Sequence, residues 1–152
     1  MEKLILVRSG DHGKDFGLNE TGKRKMKSIT EKLKKFINGN RTVVFSSNLR
    51  RARESAEIVS ASLKVSFEQC KFLQTNSADL VENFDRTIDL ISSNEDAGTF
   101  IAITHYGFLT YFPEYFARKE LKATRFYSNP FPIDRGEARI INLKHRYLIH
   151  VN

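Results

Sequence analysis

Three short runs of consecutive apolar or β-branched residues constrain the fold of this chain more than any other feature. They occupy residues 4–7, 42–45 and 100–103. Runs without polar alternation are typical of strands buried on both faces, as in a parallel sheet. Between the runs, apolar residues recur at spacings of three and four, which predicts helices. The three helical sets are Met26, Ile29, Leu33 and Phe36; Ala52, Ala56, Val59 and Leu63; and Leu80, Phe84, Ile88 and Ile91.

The remaining segments complete a layered arrangement. A weaker strand is predicted at residues 65–67, and a mainly helical segment at 108–121, where Pro113 limits the point at which the helix can begin. Residues 138–143 and 147–151 flank a polar turn and predict a β-hairpin. We therefore predict an α/β fold of three layers, with a mostly parallel central sheet, helices on both faces and an antiparallel C-terminal edge. The whole chain, residues 1–152, is expected to form a single domain.

The positive charge of the chain favours anionic partners. Its net charge is +7, and much of it lies between residues 23 and 35. Apolar residues at helical spacing interrupt that stretch, so we interpret it as a solvated helix face. No basic motif with interleaved aromatic residues supports binding to nucleic acid. The short N-terminal apolar run and the lone Cys70 predict a cytoplasmic protein with no membrane partner.

Polar residues follow each of the three strong strands. The first strand is followed by Arg8, Ser9 and Gly10. The second is followed by residues 46–51, which include Arg51, and the third by residues 104–107, which include His105. Ligands of open α/β sheets bind beyond the carboxyl ends of the strands. Arginine carries paired donors that match phosphate oxygens. The sequence therefore predicts that two arginines and a histidine converge on a phosphate group.

These segments also resemble the motifs of the histidine phosphatase superfamily, whose fold is that of phosphoglycerate mutase. LILVRSGD at residues 4–11 resembles the strand and RHG motif of that family, with the histidine replaced. LNETGK at 18–23 is similar to its L-T-x-x-G stretch, and SNLRRARESA at 47–56 resembles its S-P-L-x-R-A-x-x-T-A segment. IAITHYG at 101–107 is similar to its strand followed by T/G-H-x-G. The short length most resembles the short bacterial phosphohistidine phosphatases.

The resemblance implies a role for each matching position. The attacking histidine of the family corresponds to Ser9, while Arg8 and Arg51 would bracket the phosphoryl oxygens and His105 would donate to the transferring group. The implied partner is a phosphorylated protein or a small phosphorylated molecule, and we expect no cofactor and no metal ion. The general acid stays unknown. Gln74 lies near its expected place, and Asp79 and Glu82 are possible substitutes whose positions also suit acids at the start of a helix.

Ser9 is the departure from the family pattern that matters most. A neutral imidazole nitrogen can attack phosphorus near pH 7, whereas a serine hydroxyl needs a base to remove its proton. His12 could replace the nucleophile only through an unusual loop path, because it follows Ser9 by three residues. His105 could act as a base for Ser9, but a phosphoserine would hydrolyse slowly.

Three hypotheses follow from the sequence. The first is a phosphate-pocket protein of the superfamily whose phosphatase turnover is impaired by Ser9. The second is an active phosphohistidine or phosphomonoester phosphatase in which Ser9 is an introduced substitution or is bypassed by another base or a water. The third is a basic module that binds anions or nucleic acid. Whether the chain is an enzyme stays open at this point.

Overall fold

Six β-strands and four α-helices form the part of the chain that the computed structural model describes, residues 1–37, 41–74, 79–123 and 132–152. The strands are β1 (Lys3–Arg8), β2 (Thr42–Ser46), β3 (Phe67–Gln69), β4 (Thr99–Thr104), β5 (Ala138–Asn142) and β6 (Tyr147–Val151). The helices are α1 (Glu20–Lys34), α2 (Arg50–Leu63), α3 (Leu80–Ser92) and α4 (Tyr106–Lys119), and Lys71–Leu73 form a 3₁₀ turn. No helix among these residues has the length and apolarity needed to cross a membrane.

The strands form one sheet in the order β3-β2-β4-β1-β5-β6. Strands β3, β2, β4 and β1 run parallel to one another, whereas β5 pairs antiparallel with β1, and β6 antiparallel with β5. The register sets Arg8 beside Thr104 and Ser46 beside Ile103, so the carboxyl ends of β1, β4 and β2 lie together. The predicted parallel sheet with an antiparallel C-terminal edge is confirmed.

The two faces of the sheet carry separate cores. Leu4 and Leu6 of β1 pack with the apolar residues of α3 and α4, among them Phe84 and Phe108. The alternate β1 residues, Ile5 and Val7, pack on the opposite face with α1 and α2. Because successive side chains of a strand point to opposite faces, one continuous apolar run serves both cores. The predicted three-layer arrangement is confirmed.

Pro113 does not limit the start of α4, as the sequence analysis expected, but lies in the middle of that helix. A proline lacks the N–H that would bond to the carbonyl four residues earlier, here that of Leu109. The buried Arg139 of β5 supplies a donor instead, with its Nη1 2.5 Å from the Leu109 oxygen. A side chain from the neighbouring strand thus satisfies the carbonyl that proline leaves without a helical partner.

Other boundaries differ slightly from prediction. The weak strand lies at Phe67–Gln69, two residues later than expected. The Asn-Gly-Asn run at residues 38–40, which in the sequence predicts the end of the first helix, lies outside the described residues, as do residues 129–131 of the loop that the sequence predicts at 129–132.

Two glycines, Gly10 and Gly22, allow the loop between β1 and α1 to pack directly against the first turn of α1. The Asn19 side chain caps α1, accepting a hydrogen bond of 2.8 Å from the Gly22 N–H. A Cβ on Gly22 would lie 2.1 Å from the Asp11 carbonyl oxygen, and one on Gly10 would lie 2.8 Å from the Gly22 oxygen. Such distances exclude a side chain at either position. The beginning of α1 therefore fixes the course of the chain that follows Arg8 and Ser9.

Candidate functional site

A cavity of about 170 Å³ lies at the carboxyl ends of β1, β2 and β4. The four predicted site residues, Arg8, Ser9, Arg51 and His105, all line it. The same cavity is also lined by His12, Tyr106, Gly107 and Arg135. The ends of the strands therefore predict where these four side chains meet, but they do not predict all of the residues that line the cavity.

The end of β1 places Arg8 and Ser9 at the cavity. The guanidinium of Arg8 donates to the Ile133 carbonyl oxygen at 2.5 Å and lies 5.0 Å from the centre of the Tyr106 ring. Ser9 is only 3% exposed, and its N–H donates to the Thr104 carbonyl oxygen at 3.1 Å. A hydrogen bond between β1 and the end of β4 therefore holds Ser9 beside His105.

Arg51 and His105 approach the cavity from the beginnings of α2 and α4. Nη2 of Arg51 lies 3.4 Å from Nδ1 of His105, and Nε2 of His105 lies 2.8 Å from the Ser47 hydroxyl. A guanidinium can only donate, so Nδ1 accepts and a neutral imidazole carries its proton on Nε2, donating to Ser47. Neighbouring Arg50 instead pairs with Asp15 and Glu54 outside the cavity.

The electrostatics of the cavity favour an anion. Burial, followed by the charges of Arg51 and Arg8, lowers the pKa of His105 to about 3. His105 is therefore neutral near pH 7 in this arrangement. Burial and the charge of Arg135 also lower the pKa values of Arg8 and Arg51. None of the eight lining residues is a carboxylate, so the charges of three guanidinium groups face the cavity without an acidic partner on its wall.

His12 also lines the cavity, which the sequence analysis expected only if the loop after Ser9 took an unusual path. The loop folds back through a bridge between His12 and Leu18 and a 2.9 Å hydrogen bond from the Gly13 N–H to the Gly17 oxygen. Nδ1 of His12 lies 3.1 Å from the Gly13 carbonyl oxygen. A carbonyl can only accept, so Nδ1 carries a proton, and in the neutral form of the ring Nε2 holds the lone pair. Sequence spacing alone does not show this loop closure.

Arg135 is the lining residue that the sequence analysis missed. It belongs to a turn before β5, closed by a 3.2 Å hydrogen bond from the Glu137 N–H to the Asp134 oxygen. Gly136 follows Arg135 with φ +77°, which is typical of a type II turn. Arg-Gly before a predicted strand is a turn signal. The pairing of β5 with β1 brings that turn to the cavity, and the order of the strands was not predicted.

No candidate for the general acid lines the cavity. Gln74 donates to the Asn48 side chain, and Glu82 pairs with Arg86 on the surface of α3. Asp79 precedes α3 without capping it through its side chain. Residues 75–78 are not among those described. Within the described ranges, no group of three or more histidine, cysteine or acidic side chains could hold a metal ion.

The comparisons with known proteins agree with the motifs and the fold. The family description that matches is the histidine phosphatase superfamily (branch 1), over residues 8–75. No match was found among curated protein sequences.

Solved structures extend the likeness beyond residue 75. The fold is similar to that of a protein assigned as the phosphohistidine phosphatase SixA from Nakamurella multipartitia, with TM-score 0.74, 14% identity, and coverage of 99% of this chain and 94% of that one. It is also similar to an Escherichia coli protein assigned as an alpha-ribazole-5'-P phosphatase, with TM-score 0.71, 17% identity, and coverage of 99% and 96%. A mutant phosphoserine phosphatase from Entamoeba histolytica in complex with phosphoserine has TM-score 0.66, 14% identity, and coverage of 100% and 96%.

The resemblance predicted from the four motifs is therefore confirmed: residues 8–75 match the histidine phosphatase superfamily, and the whole chain has the fold of phosphatases that include SixA proteins.

Proposed function

We propose that the chain binds a phosphorylated protein or a small phosphorylated molecule by its phosphate group, and that phosphatase turnover is impaired because Ser9 occupies the nucleophile position. The observation that carries this proposal is the convergence of Arg8, Ser9, Arg51 and His105 on one cavity, where none of the lining residues that the structure describes is a carboxylate. A phosphate dianion would compensate the guanidinium charges through charge-assisted hydrogen bonds.

Two contacts restrict the side chain of Arg8, the first arginine of the proposed phosphate site. Its guanidinium is bonded to the Ile133 carbonyl and covered by Tyr106, which limits the rotamer freedom lost on binding. Tyr106 and Gly107 begin α4, and both line the cavity. The amino end of that helix offers N–H groups without helical partners and a partial positive charge, which adds to the attraction for an anion.

The impaired turnover follows from the chemistry of Ser9. A serine hydroxyl attacks phosphorus only when a base takes its proton. His105 is the nearest predicted base, but its Nε2 bonds to Ser47 and its Nδ1 faces Arg51. Among the described residues, neither ring nitrogen bonds to the Ser9 hydroxyl. Binding without efficient hydrolysis is therefore the expected behaviour.

A relative supports the separation of binding from turnover. The Entamoeba histolytica structure holds phosphoserine although one histidine of that phosphatase has been replaced by alanine. Loss of a histidine is thus compatible with ligand binding in a protein of this fold. We extend the same separation to this chain.

A second candidate function is an active phosphatase that uses His12, because His12 lines the same cavity and its Nε2 keeps a lone pair. In that reaction Nε2 would attack phosphorus, the bond from phosphorus to the leaving group would break, and the leaving group would take a proton from solvent. Water would then hydrolyse the phosphohistidine and release phosphate. Arg8 and Arg51 would stabilise the charge on the transferring group.

Two measurements on the same preparation test these candidates. Titration calorimetry with inorganic phosphate measures binding, and release of phosphate from p-nitrophenyl phosphate and from a phosphohistidine peptide measures turnover. We expect binding with turnover near background. Turnover that Ser9→Ala leaves intact and His12→Gln abolishes would establish the second candidate. Failure to bind phosphate at millimolar concentration would overturn both.

A further inference from the structure

Arg135 differs from the other two cavity arginines in the element that carries it, and from Ser9 and His105 in its exposure. Ser9 and His105, at the deep end of the cavity, are 3% and 8% exposed, whereas the Arg135 side chain is 37% exposed. Arg8 and Arg51 come from the sheet exits, but Arg135 comes from the turn before β5. Arg135 is therefore more open to solvent than Ser9 and His105, which are the most buried of these groups.

The turn that carries Arg135 is fixed to the site rather than free. The Arg8 N–H donates to the Glu137 oxygen at 2.9 Å, and the Gly136 N–H donates to the Arg8 oxygen at 3.1 Å. A Cβ on Gly136 would lie 2.7 Å from Cβ of Lys25, so the turn packs directly against α1. The backbone of Arg8 thus sets the position of Arg135.

The acidic groups near this turn are already occupied. Asp11 lies 2.9 Å from the ammonium of Lys25 but 3.7 Å from the guanidinium of Arg135, a distance beyond an ordinary hydrogen bond. Glu137 accepts from the Asp134 N–H at 2.6 Å and lies 3.2 Å from His150. Asp134 acts on the pKa of Arg8 and is not part of the cavity wall. Among the described residues, Asp11 is the one ion-pair partner of Arg135.

The positive charges of the arginines that line the cavity exceed the negative charge of one phosphate group. Arg8, Arg51 and Arg135 contribute three positive charges, and His105 is neutral. A phosphomonoester carries about two negative charges near pH 7. After a phosphate has bound beside Arg8 and Arg51, the guanidinium of Arg135 has only Asp11 at 3.7 Å as an ion-pair partner among the described residues, and Asp11 is shared with Lys25.

We propose that Arg135 forms a second anion-binding subsite, so that the preferred ligand carries another anionic group close to its phosphate. This inference rests on the proposed function, because it requires the phosphate to occupy the deep end beside Arg8 and Arg51. The second group can be a carboxylate or another phosphate, since a guanidinium offers paired donors to either.

Three phosphonates that cannot be hydrolysed distinguish binding at the phosphate site from binding at the second subsite. Propylphosphonate carries one anionic group, whereas 3-phosphonopropionate adds a carboxylate and methylenediphosphonate adds a second phosphonate. Titration calorimetry should show that at least one of the ligands with two anionic groups binds about tenfold more tightly than propylphosphonate, which corresponds to about 1.4 kcal/mol. Comparison of the carboxylate with the second phosphonate identifies the group that the subsite prefers.

Arg135→Gln should remove this advantage and change the affinity for propylphosphonate less than about threefold. Arg53→Gln is the matched control, because it removes one positive charge from an exposed position of α2 outside the cavity. It should leave all three affinities within about twofold of the native values. Thermal unfolding checks that both variants remain folded.

Three other outcomes would contradict these proposals. Equal native affinities for the three phosphonates would exclude it and leave phosphate binding standing. An equal loss for all three ligands in Arg135→Gln would place Arg135 in the phosphate site itself. Failure of the native chain to bind any of the three would instead contradict the proposed function.

Discussion

The guanidinium of Arg51 lies 3.4 Å from Nδ1 of His105. The contact joins the beginning of α2 to the residue that precedes α4, so it links two segments that are distant in the sequence. It also keeps a positive charge against an imidazole that is buried beside a second arginine, Arg8. An anion between these groups would offset the charges of the two arginines and favour protonation of His105.

The first prediction concerns protonation of His105. Burial and the two arginines hold its pKa near 3, so its ring signals should not titrate between pH 8 and 5 in the absence of phosphate. Bound phosphate should raise the pKa, because it offsets the arginine charges. Two-dimensional NMR of the imidazole nitrogens with and without phosphate measures this change. A His105 that titrates near pH 6.5 in both conditions would contradict the buried, anion-linked arrangement.

The same pKa predicts how stability depends on pH. The folded state keeps His105 neutral at pH values where the unfolded chain, with an ordinary pKa near 6.5, takes up a proton. Unfolding is therefore favoured as the pH falls below about 6.5 toward 3, by up to about 1.4 kcal/mol per pH unit from this group. Urea unfolding should show a shallower dependence for His105→Gln than for the native chain, and an unchanged slope would count against the assignment.

The second prediction concerns Ser9→His. In the proposed function the surrounding arginines stabilise a transferring phosphoryl group. Placing an imidazole at position 9 should therefore raise turnover of p-nitrophenyl phosphate by about a thousandfold or more, since loss of a nucleophile costs on the order of a million-fold in a protease example. Adding Arg51→Ala should remove the gain. Ser92→His, at an exposed position at the end of α3, is the control for a histidine outside the cavity. No gain from a folded Ser9→His protein would argue against a family-like arrangement.

The third prediction concerns Pro113 and Arg139. Pro113→Ala supplies an N–H to the Leu109 carbonyl, which in the native chain accepts from Arg139. The new donor should matter more where Arg139 has been replaced by methionine, because that carbonyl is then without its side-chain partner. A double-mutant cycle in urea should give a coupling free energy of about 1 kcal/mol. Strictly additive effects would show that the two residues act independently.

The fourth prediction concerns Gly22. An alanine in a helix is ordinarily favoured over glycine by about 1 kcal/mol, but at this position its Cβ would meet the Asp11 backbone. Gly22→Ala should therefore destabilise the protein by about 2 kcal/mol and weaken phosphate binding, because the displaced chain adjoins Ser9. In Gly13→Ala the nearest contact of the new Cβ is a side-chain atom at 3.3 Å, so this control should cost much less. Similar losses in the two variants would refute the packing argument.

The sequence predicts the parts of the site that depend on periodicity and on strand ends. Arg8, Arg51 and His105 follow strands whose apolar runs are unmistakable, and parallel strands bring their carboxyl ends to one edge. Arg135 is different, because it reaches the cavity through the antiparallel pairing of β5 with β1, which no local pattern specifies. His12 depends on a loop that closes on itself, and Pro113 is tolerated only because a distant arginine compensates it. The places of Arg135, His12 and Pro113 in the structure therefore depend on contacts that the local sequence pattern does not specify.

The sheet order also has a consequence for how the protein is made. Strand β1 is synthesised first, yet it lies between β4 and β5, and its β5 partner ends at Asn142. A nascent chain therefore carries Arg8 and Ser9 for most of its synthesis without the neighbours that hold them in place. The cavity can close only when the C-terminal hairpin has left the ribosome and paired with β1. We expect a ribosome-bound chain, extended by a C-terminal linker long enough for residue 151 to leave the ribosome, to gain affinity for phosphate abruptly, long after its helices have begun to form.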